Sequence, residues 1–180
     1  MTIEPTLIAG CAVVRPERHA DDRGYFARTW DGADLAAAGL TDAVAQCSTS
    51  FNHRAGTLRG MHYQAAPHEE AKLVRCTRGA VFDVCLDLRP RSETFRQWHG
   101  ETLTAENGVA LHIPEGCAHG FLTLKDESEV FYTISVPYAP DAGRGVRFDD
   151  PAFGIEWPAE IRVIHPRDAG YPLVDDRSHA

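Results

Sequence analysis

The chain has 180 residues, 43% hydrophobic and 24% charged, the balance of a soluble globular protein with room for one ordinary core. Its 18 lysines and arginines stand against 26 acidic residues, a net charge of −8. That argues against nonspecific nucleic-acid binding, which draws on basic residues facing phosphates, but leaves room for a small phosphorylated ligand held by a few arginines. No window approaches the roughly 18 apolar residues of a membrane-spanning helix, and Met1-Thr2-Ile3-Glu4-Pro5 lacks the basic flank and apolar core of a signal peptide. The five cysteines (Cys11, Cys47, Cys76, Cys85, Cys117) are odd in number, widely spaced and without a CxxC. Neither a disulfide framework nor a zinc knuckle is suggested, and a reduced cytoplasmic compartment is the simplest expectation.

Without internal repeats or linker-like shifts in composition, a single domain over residues 1–180 is expected. Turn signals such as Asp22-Arg23-Gly24, Arg54-Ala55-Gly56, Arg78-Gly79 and Pro114-Glu115-Gly116 recur along the whole length, with short alternating runs between them. In chain order, the first element is one short helix, Ala33 to Ala38, with Asp31 as its cap. Thr57 to Gln64 follows as a strand, with Gly60 where a bulge could sit. Lys72 to Thr77 reads as the hairpin partner of the clearest strand, Ala80 to Leu88. There Phe82, Val84, Leu86 and Leu88 face one way and Val81, Asp83, Cys85 and Asp87 the other. Val109, Leu111 and Ile113 alternate with Ala110 and His112 and stop at Pro114. Val130, Tyr132 and Ile134 alternate with Glu129, Phe131 and Thr133. The predicted fold is all-β, a double-sheet jelly roll or related barrel with few short helices.

No phosphate-binding glycine loop, nucleophile elbow or dinucleotide fingerprint is present. Thr57-Leu58-Arg59-Gly60-Met61-His62-Tyr63-Gln64 is the first segment with chemical potential. Arg59 could clamp a phosphate and His62 titrates near neutrality, although an exposed arginine beside a hydrogen-bonded strand histidine would explain the same residues. Lys72 shares parity with Val74 and Cys76, so it is either a solvated strand start or an inward cation able to stabilise an oxyanion. Pro114-Glu115-Gly116-Cys117-Ala118-His119-Gly120-Phe121 looks like the second half of a cupin signature, whose first half should supply His-x-His. Here that place holds His62-Tyr63-Gln64, so a three-histidine metal site is not assembled and no metal is expected. Tyr132 is either a core tyrosine with a partnered hydroxyl or a phenol acting as an acid. Asp168, in His165-Pro166-Arg167-Asp168, says little by itself.

Taken in order, these blocks resemble the nucleotide-sugar 3,5-epimerase family, that of dTDP-4-dehydrorhamnose 3,5-epimerase. The resemblance runs from Asp22-Arg23-Gly24-Tyr25-Phe26 through Leu58-Arg59-Gly60-Met61-His62, Lys72-Leu73-Val74-Arg75, the cupin-like block and Glu129-Val130-Phe131-Tyr132 to Pro166-Arg167-Asp168. It implies a cupin-type jelly roll, usually a homodimer, that needs no metal or organic cofactor and acts on a nucleotide-diphosphate sugar. His62 matches the family's base, Asp168 the carboxylate that holds it, Lys72 the stabiliser of the enolate oxygen and Tyr132 the acid on the opposite face. Arg59 matches a diphosphate contact, and Arg23, Phe26, Arg28, Gln64 and His119 fall among the expected substrate contacts.

The departures concern the nucleotide. Members that read thymine usually carry a glutamate where this chain has Arg28. Their usual Gln-Asp-Asn-His is Gln46-Cys47-Ser48-Thr49 here. The reaction type is therefore better specified than the base. Two rival readings remain: a metal-dependent cupin oxygenase or isomerase, favoured by His119 and opposed by the missing His-x-His, and a nucleotide-sugar binding module without chemistry. The intact set of His62, Lys72, Tyr132 and Asp168 opposes the latter, since a binder has no use for a base and an acid on opposite faces.

Overall fold

A computed structural model describes residues 1–174, so the last part of the domain expected over 1–180, residues 175–180, lies outside the described residues. The strands in chain order are β1 (Thr2–Pro5), β2 (Ala12–Arg15), β3 (Arg18–Asp21), β4 (Gly24–Ala27), β5 (Gln46–Asn52), β6 (Thr57–Gln64) and β7 (Lys72–Arg78). They continue with β8 (Ala80–Asp87), β9 (Trp98–Thr104), β10 (Ala110–Ile113), β11 (Cys117–Thr123), β12 (Ser128–Ile134), β13 (Gly143–Gly145) and β14 (Val163–Ile164). Two short helices, α1 (Gly32–Ala37) and α2 (Pro166–Ala169), complete the set with a 3-10 turn at Pro140–Ala142. The expected cap is present: Asp31 accepts hydrogen bonds from the Ala33 and Asp34 N–H groups. The second helix was not predicted.

Two antiparallel sheets face each other, as in a cupin-like jelly roll. The first has the order β1-β2-β10-β7-β12-β5 and the second β13-β6-β11-β8-β9, with β14 added parallel to β6. Between them lies one apolar cluster, to which Val13, Val74, Cys76, Leu111 and Val130 come from the first sheet and Val81, Cys85, Leu103 and Phe121 from the second. β3 and β4 form a separate ribbon that joins neither sheet.

The predicted hairpin between Lys72–Thr77 and Ala80–Leu88 is corrected by the structure. β7 pairs with β10 and β12 in the first sheet, whereas β8 pairs with β9 and β11 in the second. Gly79, at φ +77°, is the corner between them, and a side chain there would meet Ser128 Oγ at 2.4 Å. One linking residue is too short for a hairpin turn but sufficient to carry the chain from one sheet to the other.

The two faces predicted for β8 are both covered. Val81, Asp83 and Cys85 point between the sheets, while Phe82, Val84 and Leu86 pack under a C-terminal cover that includes Phe153, Ile155 and Trp157. Asp150, buried, pins that cover by accepting from the Ala152 and Val174 N–H groups at 2.9 and 2.6 Å.

Candidate active site

A cavity of about 580 Å³ lies between the sheets and is lined by Arg59, His62, Lys72, His119, Tyr132 and Asp168, among others. Lys72 and Tyr132 come from the first sheet, Arg59, His62 and His119 from the second, and Asp168 from α2.

Arg59 and His62 are three residues apart, a spacing that sends side chains to opposite faces of a regular strand. Both line the cavity because β6 carries an extra residue. Opposite it, His119 pairs with His62 and Phe121 with Arg59, so two steps on β11 span three on β6. Gly60, at φ +129°, occupies the irregularity, where a Cβ would lie 2.5 Å from Gly120 Cα. Gly120 is equally constrained, since its own Cβ would meet Met61 Sδ at 2.6 Å. The freed Gly60 N–H donates to Asp168 Oδ2 at 3.2 Å.

Asp168 reaches this point because β14 runs parallel beside Thr57 and Leu58 and ends in the single turn of α2. His165 caps that turn, its Nδ1 accepting from the Arg167 N–H at 3.1 Å. Asp168 is 2% exposed and its Oδ1 lies 2.8 Å from His62 Nε2. A carboxylate can only accept, so Nε2 carries the proton and Nδ1 keeps its lone pair. Burial pushes the Asp168 carboxyl up, but hydrogen bonds from His62, Gly60 and Arg167 outweigh it and hold the group below the usual carboxylate range. His62 is lowered from its ordinary value, first by burial; Asp168 opposes the shift, and the charges of Arg167 and Lys72 add to it. The imidazole is thus neutral near pH 7, the form of a base.

Lys72 is buried, with Nζ 2.7 Å from Glu70 Oε1. Of the two positions its sequence left open, the inward one is what the structure shows. Tyr132 packs against the central apolar cluster, and its hydroxyl makes no hydrogen bond among the described residues. Burial pushes that hydroxyl above its ordinary value, opposed by Arg59 and reinforced by Glu70. It therefore holds its proton near neutrality. His119 forms a second histidine–carboxylate pair, Nε2 to Asp83 Oδ1 at 2.8 Å, with Asp83 fully buried. Among the described residues no group of three or more His, Cys, Asp and Glu side chains is gathered as a metal site.

Four expected contacts are not brought to this cavity. Gln64 is buried, and its amide is committed internally, Nε2 donating to the His68 carbonyl and Oε1 accepting from the Ala139 N–H. Arg23, Phe26 and Arg28 sit on or beside the β3–β4 ribbon. Arg23 pairs with Asp21 at 2.6 Å, Arg28 with the helix cap Asp31 at 2.8 Å, and Phe26 is 64% exposed. The sequence reading missed Arg167, whose Nε lies 3.2 Å from Asp168 Oδ1 and whose Nη2 lies 3.2 Å from His62 Nε2. Its adjacency to Asp168 was the available signal. Asp83 was likewise given no role, although a carboxylate between Val81 and Cys85 on one face of β8 was the available signal.

Residues 5–176 match the family model described as dTDP-4-dehydrorhamnose 3,5-epimerase. A dTDP-4-dehydrorhamnose 3,5-epimerase of Sinorhizobium fredii is 40% identical over 177 residues, 96% of this chain and 89% of that protein. The crystal structure of the Bacillus anthracis dTDP-4-dehydrorhamnose 3,5-epimerase, with TDP and PPi bound, superposes with a TM-score of 0.92 at 35% identity, covering 96% of this chain and 99% of the other. A 3'-monoepimerase from Streptomyces bikiniensis, solved as a histidine-to-asparagine and tyrosine-to-phenylalanine double mutant with dTDP, gives 0.86 at 34% identity, covering 94% and 86%.

Proposed function

The chain belongs to the dTDP-4-dehydrorhamnose 3,5-epimerase family, and from that premise we propose a two-wall proton transfer on a nucleotide-linked 4-keto-6-deoxy sugar. The 4-keto group acidifies the protons on C3 and C5. His62 Nδ1 takes one such proton, and the electron pair moves onto the C4 oxygen as an enolate. The Lys72 ammonium stabilises that oxyanion. The Tyr132 hydroxyl then returns a proton to the opposite face, the carbonyl re-forms and the centre is inverted. Asp168 fixes the tautomer of His62 and favours the imidazolium that forms. Arg59 holds the diphosphate, and His119, kept in place by Asp83, lines the sugar pocket.

The observation that carries this reading is the division of groups between the sheets. His62 stands on the second sheet, with Asp168 reaching it from α2, and the lysine and tyrosine stand on the first, across one cavity. Inversion needs a base and an acid on opposite faces, and the sandwich supplies two walls.

The partner is a nucleotide-diphosphate sugar, and we infer a homodimer. The ribbon that carries Arg23 and Phe26, with Arg28 just beyond it, stands apart from its own cavity, with Tyr25 57% and Phe26 64% exposed. These residues can serve as substrate contacts where the ribbon reaches the cavity of a second copy. Five free thiols fit a reduced, cytoplasmic setting, and no helix among the described residues is long and apolar enough to cross a membrane.

The test is incubation with a dTDP-linked 4-keto-6-deoxyhexose in deuterated water, following label at C3 and C5. Label at one or both carbons is expected, and His62→Asn should reduce its incorporation about 10²–10⁴-fold. No label from the unaltered protein with any nucleotide would leave a binding module. A His62→Asn variant with near-normal exchange would remove His62 as the base.

A further inference from the structure

Arg59 does not hang free in the cavity. Its Nε donates to Asn52 Oδ1 at 2.7 Å, a contact from the second sheet to the last residue of β5 at the edge of the first. Asn52 is 2% exposed, although β5 is otherwise largely open. Its Nδ2 donates to the carbonyls of Ser50 and Ser128, each at 3.2 Å. Two carbonyls on the nitrogen side fix which way the carboxamide lies, so Oδ1 is turned to the guanidinium. Arg59 Nη2 also reaches the Phe51 carbonyl at 3.4 Å. These contacts use two of the five N–H donors and leave three for a ligand.

An arginine that must be fixed at the moment of binding loses rotamer freedom, and affinity falls accordingly. We infer that Asn52 is a positioning residue of this cavity, whose buried carboxamide sets Arg59 in place for a diphosphate before the ligand arrives. The inference rests on the reading of Arg59 as the diphosphate contact. Ser128, across from Asn52 in the ladder, is also the residue against which the Gly79 corner packs. The sheet-to-sheet corner and the anion-binding arginine thus share one support.

The experiment is a double-mutant cycle read by calorimetric titration with dTDP and with thymidine, alongside steady-state kinetics. Asn52→Ala should weaken dTDP about tenfold, the size of a hydrogen bond to a charged group. Thymidine affinity should stay unchanged, and KM should rise while kcat holds within about twofold. In an Arg59→Ala background, adding Asn52→Ala should cost nothing further, because its partner is already gone. Should Asn52→Ala fail to fold, Asn52→Ser, too short to reach Arg59, must give the same pattern. Losses that multiply in the double variant, or fall equally on dTDP and thymidine, would make Asn52 merely structural and overturn the inference. An Arg59→Ala protein with unchanged dTDP affinity would overturn the reading of Arg59 instead, and this inference with it.

Discussion

Removing Asp168 and removing Arg167 should move His62 in opposite directions. The carboxylate favours the imidazolium, so Asp168→Asn lowers the histidine further and shifts the acid limb of kcat/KM to lower pH, with a weaker base and a lower maximum. The guanidinium disfavours the imidazolium, so Arg167→Gln lets the histidine rise and shifts the same limb to higher pH. In both cases the base works only when neutral, and activity is lost as pH falls through its value. Limbs that move together would mean that His62 is not the titrating group. Tyr132→Phe separates the two half-reactions: exchange by His62 should persist, while inverted product falls about a hundredfold or more. Equal loss of both would give Tyr132 a role beyond reprotonation.

At the scale of elements, the crossing of β6 and β11 is built for two residues without side chains. Gly120→Ala must push either Met61 or the Arg59 carbonyl aside, the latter only 2.9 Å from the added carbon. The cost should reach about 2–3 kcal/mol in the range of overpacked interiors. Exchange activity should fall as well, because Gly60, which holds Asp168, lies in the same contact; a variant as stable and active as the parent would show that the strands can separate freely.

The loop after β8 depends on a different anchor. Burial would push the Asp87 carboxyl up, yet Arg89, Ser92, Thr94 and the Arg89 N–H hold it well below the usual carboxylate range. A depressed carboxyl contributes stability above its unfolded value near pH 4 and loses it as pH falls through the folded one. Asp87→Asn should therefore cost about 2 kcal/mol at pH 7, and chemical denaturation should show the difference shrinking below about pH 4. A pH-independent gap would refute the linkage.

For the whole molecule, the proposed dimer would bring the ribbon of one chain to the cavity of the other. A His62→Asn chain mixed with a Phe26→Ala chain should recover exchange, because a mixed dimer joins an intact base to an intact ribbon. Absence of recovery, with sedimentation showing only monomer, would confine the site to one chain. The nucleotide belongs to the same question. Arg28 can only donate hydrogen bonds, so dTDP should lead UDP, CDP and GDP in calorimetric affinity by less than about a hundredfold, 2.7 kcal/mol. A larger margin would make Arg28 a partner of Asp31 and nothing more.

Period-two alternation, turn residues and a helix cap are written in neighbouring residues, and they sufficed for the all-β class, for β6, β7, β8, β10 and β12, and for α1. The ordered blocks around His62, Lys72, Tyr132 and Asp168 likewise carried the family. Which strand pairs with which is a different kind of fact. Lys72–Thr77 and Ala80–Leu88 look like a hairpin locally, but long-range burial of both faces of β8 sends them to different sheets. The same holds for the site: Asp168 and His62 are 106 residues apart in the chain, and Asp83 and His119 are 36. The first pairing depends on the bulge flagged at Gly60 together with a parallel strand beside β6 and one turn of helix that leave no periodic trace, and the second on the ladder between β8 and β11. The internal use of Gln64 and the outward position of Phe26 and Arg28 were also decided by the tertiary fold. A residue's type limits the hydrogen bonds it can make, and only packing selects the partner that takes them.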